Sequence, residues 1–269
     1  MLRKLILVIF IFPFFLGMSQ AQKGFELGAW AGVSNYFGEL NANYRLTDFG
    51  PAGGLNGRYN FNNRLATKAS LSYGYIYGDD KNNRNVFELR RNLNFKSHLA
   101  DATFTGEFNF LPYTHGSQDE YFTPYVSLGF NVFYFAPFTE LDGVNHFLRP
   151  LGTEGQPVGG EYSFINGGLV YGGGFKWDIN YEWSFNIEFT MRNLFTDYLD
   201  DVSRTFPNQA TLEANRGTIA RQLSDRSIEP QIGEAGRQRG DSTRRDNYSF
   251  FGISIMRYFG SVECPKIQR

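Results

Sequence analysis

Apolar and polar residues alternate through most of this chain. In residues 168–192, Leu169, Tyr171, Phe175, Trp177 and Ile179 take every second position, with Gly173 in the same series, and Val170, Gly172, Gly174, Lys176 and Asp178 fall between them. After a polar turn at 180–182 the pattern resumes, with Phe185, Ile187, Phe189 and Met191 set against Ser184, Asn186, Glu188 and Arg192. Successive side chains of a strand point to opposite faces, so this stretch predicts two antiparallel strands, each with one apolar and one polar face.

The same period of two marks strands at 25–36, 54–61, 65–77, 96–110, 122–135 and 248–259, for a total of about eight. In the first, Phe25, Leu27, Ala29, Ala31 and Val33 oppose Glu26, Gly28, Trp30, Gly32 and Ser34. In the fourth, Ala100, Ala102, Phe104, Phe108 and Phe110 oppose Asp101, Thr103, Thr105, Glu107 and Asn109. The polar faces together carry Glu26, Arg58, Lys68, Asp101, Glu107, Lys176, Asp178, Glu188 and Arg192. Charges of this number are costly inside an ordinary sandwich core. In a membrane barrel the apolar face meets lipid and the charged face lines the interior. The expected fold is therefore all-β, an eight-stranded antiparallel transmembrane β-barrel.

Loop lengths alternate. The links after the second, fourth and sixth strands are short or moderate, and those after the first, third, fifth and seventh are long, at about 37–51, 78–94, 136–162 and 196–246. Outer-membrane barrels have short periplasmic turns and long external loops, which would put both termini in the periplasm. A soluble lipocalin-like barrel has the same strand number, with its apolar face lining a cavity. Three features favour the membrane: the loop asymmetry, the aromatic face and the first residues. Arg3 and Lys4 precede an apolar run at 5–16, and Ser19-Gln20-Ala21 offers small residues for cleavage. This reads as a signal peptide over 1–21, a barrel over 22–259 and a periplasmic tail over 260–269.

Composition changes the picture little. Mean hydropathy is -0.36, but a dyad signal is weak in such scans. Aromatics make up 17% of the chain, with 28 Phe and 16 Tyr, which suits a lipid-facing band and its girdles. A net charge of -1 implies no nucleic-acid partner.

The inward acids Glu26, Asp101, Glu107, Asp178 and Glu188 nearly balance Arg58, Lys68, Lys176 and Arg192. An eight-stranded barrel has room for side chains and little more, so the expected arrangement is a closed ion-pair network; a conduction path would need a wider lumen. His98, His115 and His146 show neither triad nor metal spacing and read as solvated surface residues near a strand end, in a turn and in a loop. No catalytic, cofactor or metal site is expected. Residues 208–224, within the loop 196–246, suit a short helix with Leu212, Ile219 and Leu223 on one side. That loop reads either as mobile and solvated or as a surface for another protein. Cys264 is the only cysteine, so any disulfide would be intermolecular; an idle thiol is the alternative.

Several motifs occur in a characteristic order. Asn35-Tyr36-Phe37-Gly38-Glu39-Leu40-Asn41 leads to Gly50-Pro51-Ala52-Gly53-Gly54-Leu55 and Arg58-Tyr59-Asn60-Phe61-Asn62. Glu107-Phe108-Asn109-Phe110-Leu111-Pro112-Tyr113 and Pro124-Tyr125-Val126-Ser127-Leu128-Gly129 follow. The chain resembles the PorG-type outer-membrane proteins of the type IX secretion system of Bacteroidota. The resemblance implies a non-enzymatic barrel, integral to the outer membrane and in contact with its lipid, associated with a periplasmic ring lipoprotein and its ring partner of the PorK/PorN or GldK/GldN type. That apparatus serves protein export and, in some species, gliding motility. It implies an anchor for the ring; Cys264 is then a candidate disulfide partner of that lipoprotein, with a disulfide-linked homodimer as runner-up. Two other readings remain at this stage: a small transport barrel for small or apolar ligands, and a lipid-modifying barrel enzyme.

Overall fold

The structure is a computed structural model that describes residues 23–41, 45–228 and 230–260. The expected signal peptide and Cys264 lie outside the described residues. The strands are β1 (Gly24–Phe37), β2 (Gly50–Asn60), β3 (Leu65–Asp79), β4 (Asn94–Asn109), β5 (Phe122–Leu141), β6 (Val144–Phe147), β7 (Ile165–Asp178), β8 (Trp183–Leu194) and β9 (Asn247–Gly260). All but β6 form one antiparallel sheet in which each pairs with its neighbours in sequence, β4 with β5 and β5 with β7 included. It closes where β1 meets β9, from Gly24 opposite Gly260 to Phe37 opposite Asn247. The result is a closed eight-stranded barrel with no free edge in the sheet.

The pleat assigns the faces. Leu55, Leu71, Leu128 and Phe130 point outward and are 63–67% exposed, whereas Glu26, Glu107 and Lys176 point inward and are 0–2% exposed. A barrel stable in water would show the reverse, so this one spans a membrane, and the lipocalin-like alternative falls. No helix among the described residues is long and apolar enough to cross; the strands do the crossing. Aromatic residues collect at both rims. Tyr59 packs on Phe61 at 5.0 Å and Phe122 on Trp177 at 4.9 Å at the short-turn end, and Tyr73, Tyr75 and Tyr77 lie toward the long-loop end. A concavity of about 1220 Å³ also lies on this outer face, between Leu27, Leu55, Leu71, Phe104 and Ile255.

The long-loop end departs from the sequence reading. Residues 136–141, expected in a loop, continue β5, and 138–141 pair with β6, the stretch that holds His146. Asp142 and Gly143 make the two-residue turn between them, both at positive φ (51° and 79°), the backbone that matches the twist of a tight hairpin. The inward face also changes character with height. Ile76, Phe95, Leu99, Phe133, Phe135, Leu194 and Phe250 form an apolar floor near the top of the barrel. The loops pack onto it with Leu40, Leu93, Leu148, Leu199, Val202 and Leu223. Three short helices belong to this cap: α1 (Val86–Arg91), α2 (Gln209–Arg216) and α3 (Thr218–Ser224). Asn208 caps α2, its side chain accepting from Thr211 N at 3.0 Å. The single helix expected over 208–224 breaks at Gly217, whose φ is 87°. Leu212 and Leu223 are buried as expected, but Ile219 is 40% exposed, because the break turns it away from the core. The loop 196–246 thus packs onto the barrel top and its neighbouring loop, with Arg239 buried against Glu154 at 3.1 Å, so the solvated reading is corrected.

Candidate functional site: the sealed lumen

The inward side chains form three layers below the cap. The central layer is built on Glu107 of β4. Arg58 Nε from β2 lies 2.8 Å from Glu107, Lys176 Nζ from β7 lies 2.7 Å away, and Lys68 Nζ from β3 lies 3.4 Å away. Arg58 also donates to Glu26 at 3.0 Å and to Asn186 at 3.3 Å. Lys68 bridges to Glu188, which also accepts from the Tyr125 hydroxyl. Lys176 donates to Asn109 at 2.9 Å and sits 4.5 Å from the Tyr125 ring centroid. Three carboxylates thus face three cations, all from strands whose alternation turns them inward. Removed from water, such charges persist only when paired and hydrogen-bonded.

The upper layer holds Asp101 and Arg192. Their closest ion-pair distance is 3.5 Å. Asp101 accepts from Tyr248 at 2.5 Å and from Asn131 at 2.6 Å, while the Arg192 guanidinium lies 4.2 Å from the Phe250 ring centroid. A cavity of about 30 Å³ separates this layer from Glu188. That is room for about two waters.

The lower layer corrects the sequence reading of His115. The turn after β4 folds into the barrel mouth, and His115 is only 3% exposed. Its Nδ1 lies 2.7 Å from Asp178 and its Nε2 lies 3.3 Å from Glu26, while the ring stacks on Tyr258 at 4.2 Å. Gly116 N donates to the other Asp178 oxygen at 2.7 Å, so the turn backbone is pinned as well. Tyr113 N donates to Asn63 O at 3.0 Å and Leu111 N to the Thr123 hydroxyl at 3.1 Å, which hold the turn's approach. Burial alone would lower the His115 pKa; hydrogen bonds to Asp178 and Glu26 outweigh it and raise it. The His115 ring therefore sits as a stopper between two carboxylates at the short-turn end.

All nine inward charges named from the sequence enter these three layers. The alternation already turned Asn109 and Asn186 inward, but it carried no signal for His115 or for which strand supplies each partner; the Asn60 side chain, for instance, donates to Glu26 at 2.6 Å. His98 does lie on the outer surface, 2.5 Å from the Tyr73 hydroxyl. What the arrangement does is fill the barrel interior: charged layers below, an apolar floor toward the top and a loop at the mouth.

No curated protein matches the chain in sequence. Among solved structures, the chain is similar to outer membrane protein W of E. coli (16% identity, TM-score 0.38, covering 89% of this chain and 100% of that one). It is also similar to OprG of Pseudomonas aeruginosa (13%, 0.43, 90% and 98%) and to the Neisserial surface protein A (9%, 0.44, 87% and 97%). The closed barrel stands on its own strand pairing, and likenesses this distant add nothing about activity. Residues 3–145 match the family described as "Domain of unknown function (DUF6089)". That span is more than half of the chain, and the protein belongs to the DUF6089 family.

Proposed function

We propose that this barrel is a non-enzymatic outer-membrane component of a type IX protein secretion apparatus, an anchor for the periplasmic ring and not the conduit. The resemblance to the PorG-type proteins supplies the system. The observation that carries the anchoring role is the sealed lumen: three layers of interlocked side chains under a packed cap leave cargo nowhere to pass. A barrel that neither conducts nor presents a catalytic pocket acts through its surfaces. In this reading the long loops face outward and the short turns face the periplasm. Both ends of the described barrel lie at the short-turn end, where Gly24 pairs with Gly260. Cys264 can then extend less than about 20 Å from Phe259, at the periplasmic end. A lipid-anchored ring subunit of the PorK or GldK type, with its PorN or GldN partner, is the fitting binder there.

Affinity purification of the full protein from its native envelope tests this. Ring lipoprotein and ring partner should co-purify, and a Cys264→Ser variant should lose any reducible higher-mass species seen on non-reducing gels of alkylated cells. Recovery of the barrel free of both ring subunits, with secretion intact in a deletion strain, would reject the reading. The transport alternative rests on the outer-face concavity between Leu27, Leu55, Leu71 and Ile255, a place for an apolar chain leaving sideways. Ligand uptake into vesicles that depends on those residues would favour it instead.

A further inference from the structure

A recess in the cap lies apart from the lumen. The loop after β1, helix α1 and the segment 238–247 enclose a cavity of about 440 Å³, and small-ligand pockets span roughly 300–1,000 Å³. Arg91 and Arg239, both buried, lie at its floor, whereas Asn85, Gln238 and Arg245 stand exposed at its rim. Its walls are fixed before anything binds. Arg91 makes two 2.8 Å bonds to Asp80, donates to the Arg239 carbonyl oxygen and reaches the Glu39 carbonyl oxygen at 3.4 Å. Asp241 N donates to the Glu39 carboxylate at 3.3 Å, and Asn85 caps α1 by accepting from Phe87 N at 2.9 Å. Three segments are thus tied together, and a preorganised site loses little entropy on binding.

The lining decides the class of ligand. Four amides, three acids and four arginines line the cavity with two phenylalanines, and no aliphatic side chain among the described residues takes part. An apolar ligand would find no matching wall. The charges also nearly cancel. Asp80 holds Arg91 at 2.8 Å, Glu154 holds Arg239 at 3.1 Å, and Asp241 lies 3.5 Å from Arg244. Arg245, with no ion pair among the described residues, offsets part of the charge of Glu39 and Glu88. A phosphate would meet those two acids, and a metal ion would meet the guanidiniums.

We infer that this recess binds a neutral saccharide, about one or two pyranose units in size. Carboxylates only accept hydrogen bonds, guanidiniums only donate and amides do both, while a hydroxyl donates and accepts at one atom. A wall that mixes all three therefore suits a compact ligand carrying many hydroxyls and no net charge. A pyranose ring also has an apolar C–H face that packs on an aromatic ring, for which Phe87 is placed. Arg237 lies over one face of Phe87, 5.8 Å from the ring centroid, and fixes the ring. The outward orientation of the long loops, as read above, gives the recess access to glycans outside the cell; binding itself does not depend on that reading.

The test uses the full mature protein in an amine-oxide detergent, because glucoside and maltoside detergents would compete. The probes are the methyl glycosides of glucose, galactose, mannose, rhamnose and N-acetylglucosamine, followed by saturation-transfer difference NMR. At least one probe should receive saturation at its ring protons, and excess inorganic phosphate should not displace it. Gln238→Ala and, separately, Phe87→Ala should each weaken that probe by about fivefold, the worth of one lost contact. Val144→Ala, on the β5–β6 hairpin, should leave it unchanged. Transfer to none of the probes, displacement by phosphate, or wild-type affinity in both recess variants would overturn the proposal. Gln238 is exposed and α1 lies outside the barrel wall, so both variants should keep the mobility of a folded barrel on unheated gels; should one fail to fold, the other decides.

Discussion

Replacing Glu107 with Gln tests the central claim that interlocked charges close this barrel. The substitution keeps the shape and removes one charge from the most connected residue in the lumen. Its carboxylate meets cations at 2.7, 2.8 and 3.4 Å. At an effective dielectric of about 20, each contact is worth about 5–6 kcal/mol of gross attraction. Most of that is offset by the desolvation of the ions, several kcal/mol each. The native layer is neutral: Glu26, Glu107 and Glu188 match Arg58, Lys68 and Lys176. Glu107→Gln leaves one positive charge without a counter-charge, with Lys176 0% exposed. Breaking a buried pair in this way costs about 3–5 kcal/mol. Removing the stranded charge as well, in Glu107→Gln with Lys176→Met, should restore part of the loss, with a coupling of about 1–3 kcal/mol. Urea unfolding in detergent micelles, followed by tryptophan fluorescence and by the mobility shift of folded barrels on unheated gels, measures both. If Glu107→Gln lies within about 0.5 kcal/mol of the wild type, or if the double variant is no better than the sum of the singles, the network does not hold the lumen closed.

Arginine on the outer face, at Leu128 or Ile253, should destabilise the barrel by about 2–4 kcal/mol in lipid, while the same change at Val144 beyond the membrane band should cost little; equal effects in unfolding from vesicles would reject the face assignment. The raised pKa of His115 means that its stabilising contribution is fully present below about pH 6.5, the unfolded value, and fades as pH rises through the higher folded value. His115→Gln should therefore cost most at about pH 5.5 and progressively less toward about pH 9, and a gap that widens with pH would reverse the sign. Purified wild type in planar bilayers should show no stable ion steps, and reproducible conductance altered by Lys176→Gln would reopen the transport reading.

How far the sequence went can be seen strand by strand. A period of two is a local property, fixed by the pleat, so Phe25 against Glu26 or Phe189 against Glu188 assigns a face wherever the strand goes. The alternation of turn and loop lengths is equally local, and together they determined an eight-stranded antiparallel barrel with Glu107 and Lys176 inside. The alternation stops carrying information where both faces are covered. At Phe130–Phe135 apolar residues occupy both parities, because one face meets lipid and the other meets the cap. The sequence alone could not show that residues 136–141 remain strand or that the lid packs down on Phe133 and Phe135. Residue partners across the lumen were also out of reach: Lys68 and Glu188 are 120 residues apart and meet only because the sheet closes. The same holds for His115, whose turn looks solvated until the barrel supplies Glu26, Asp178 and Tyr258 around it. Strand periodicity is short-range chemistry, whereas barrel closure is a long-range constraint, and only closure decides which charges meet.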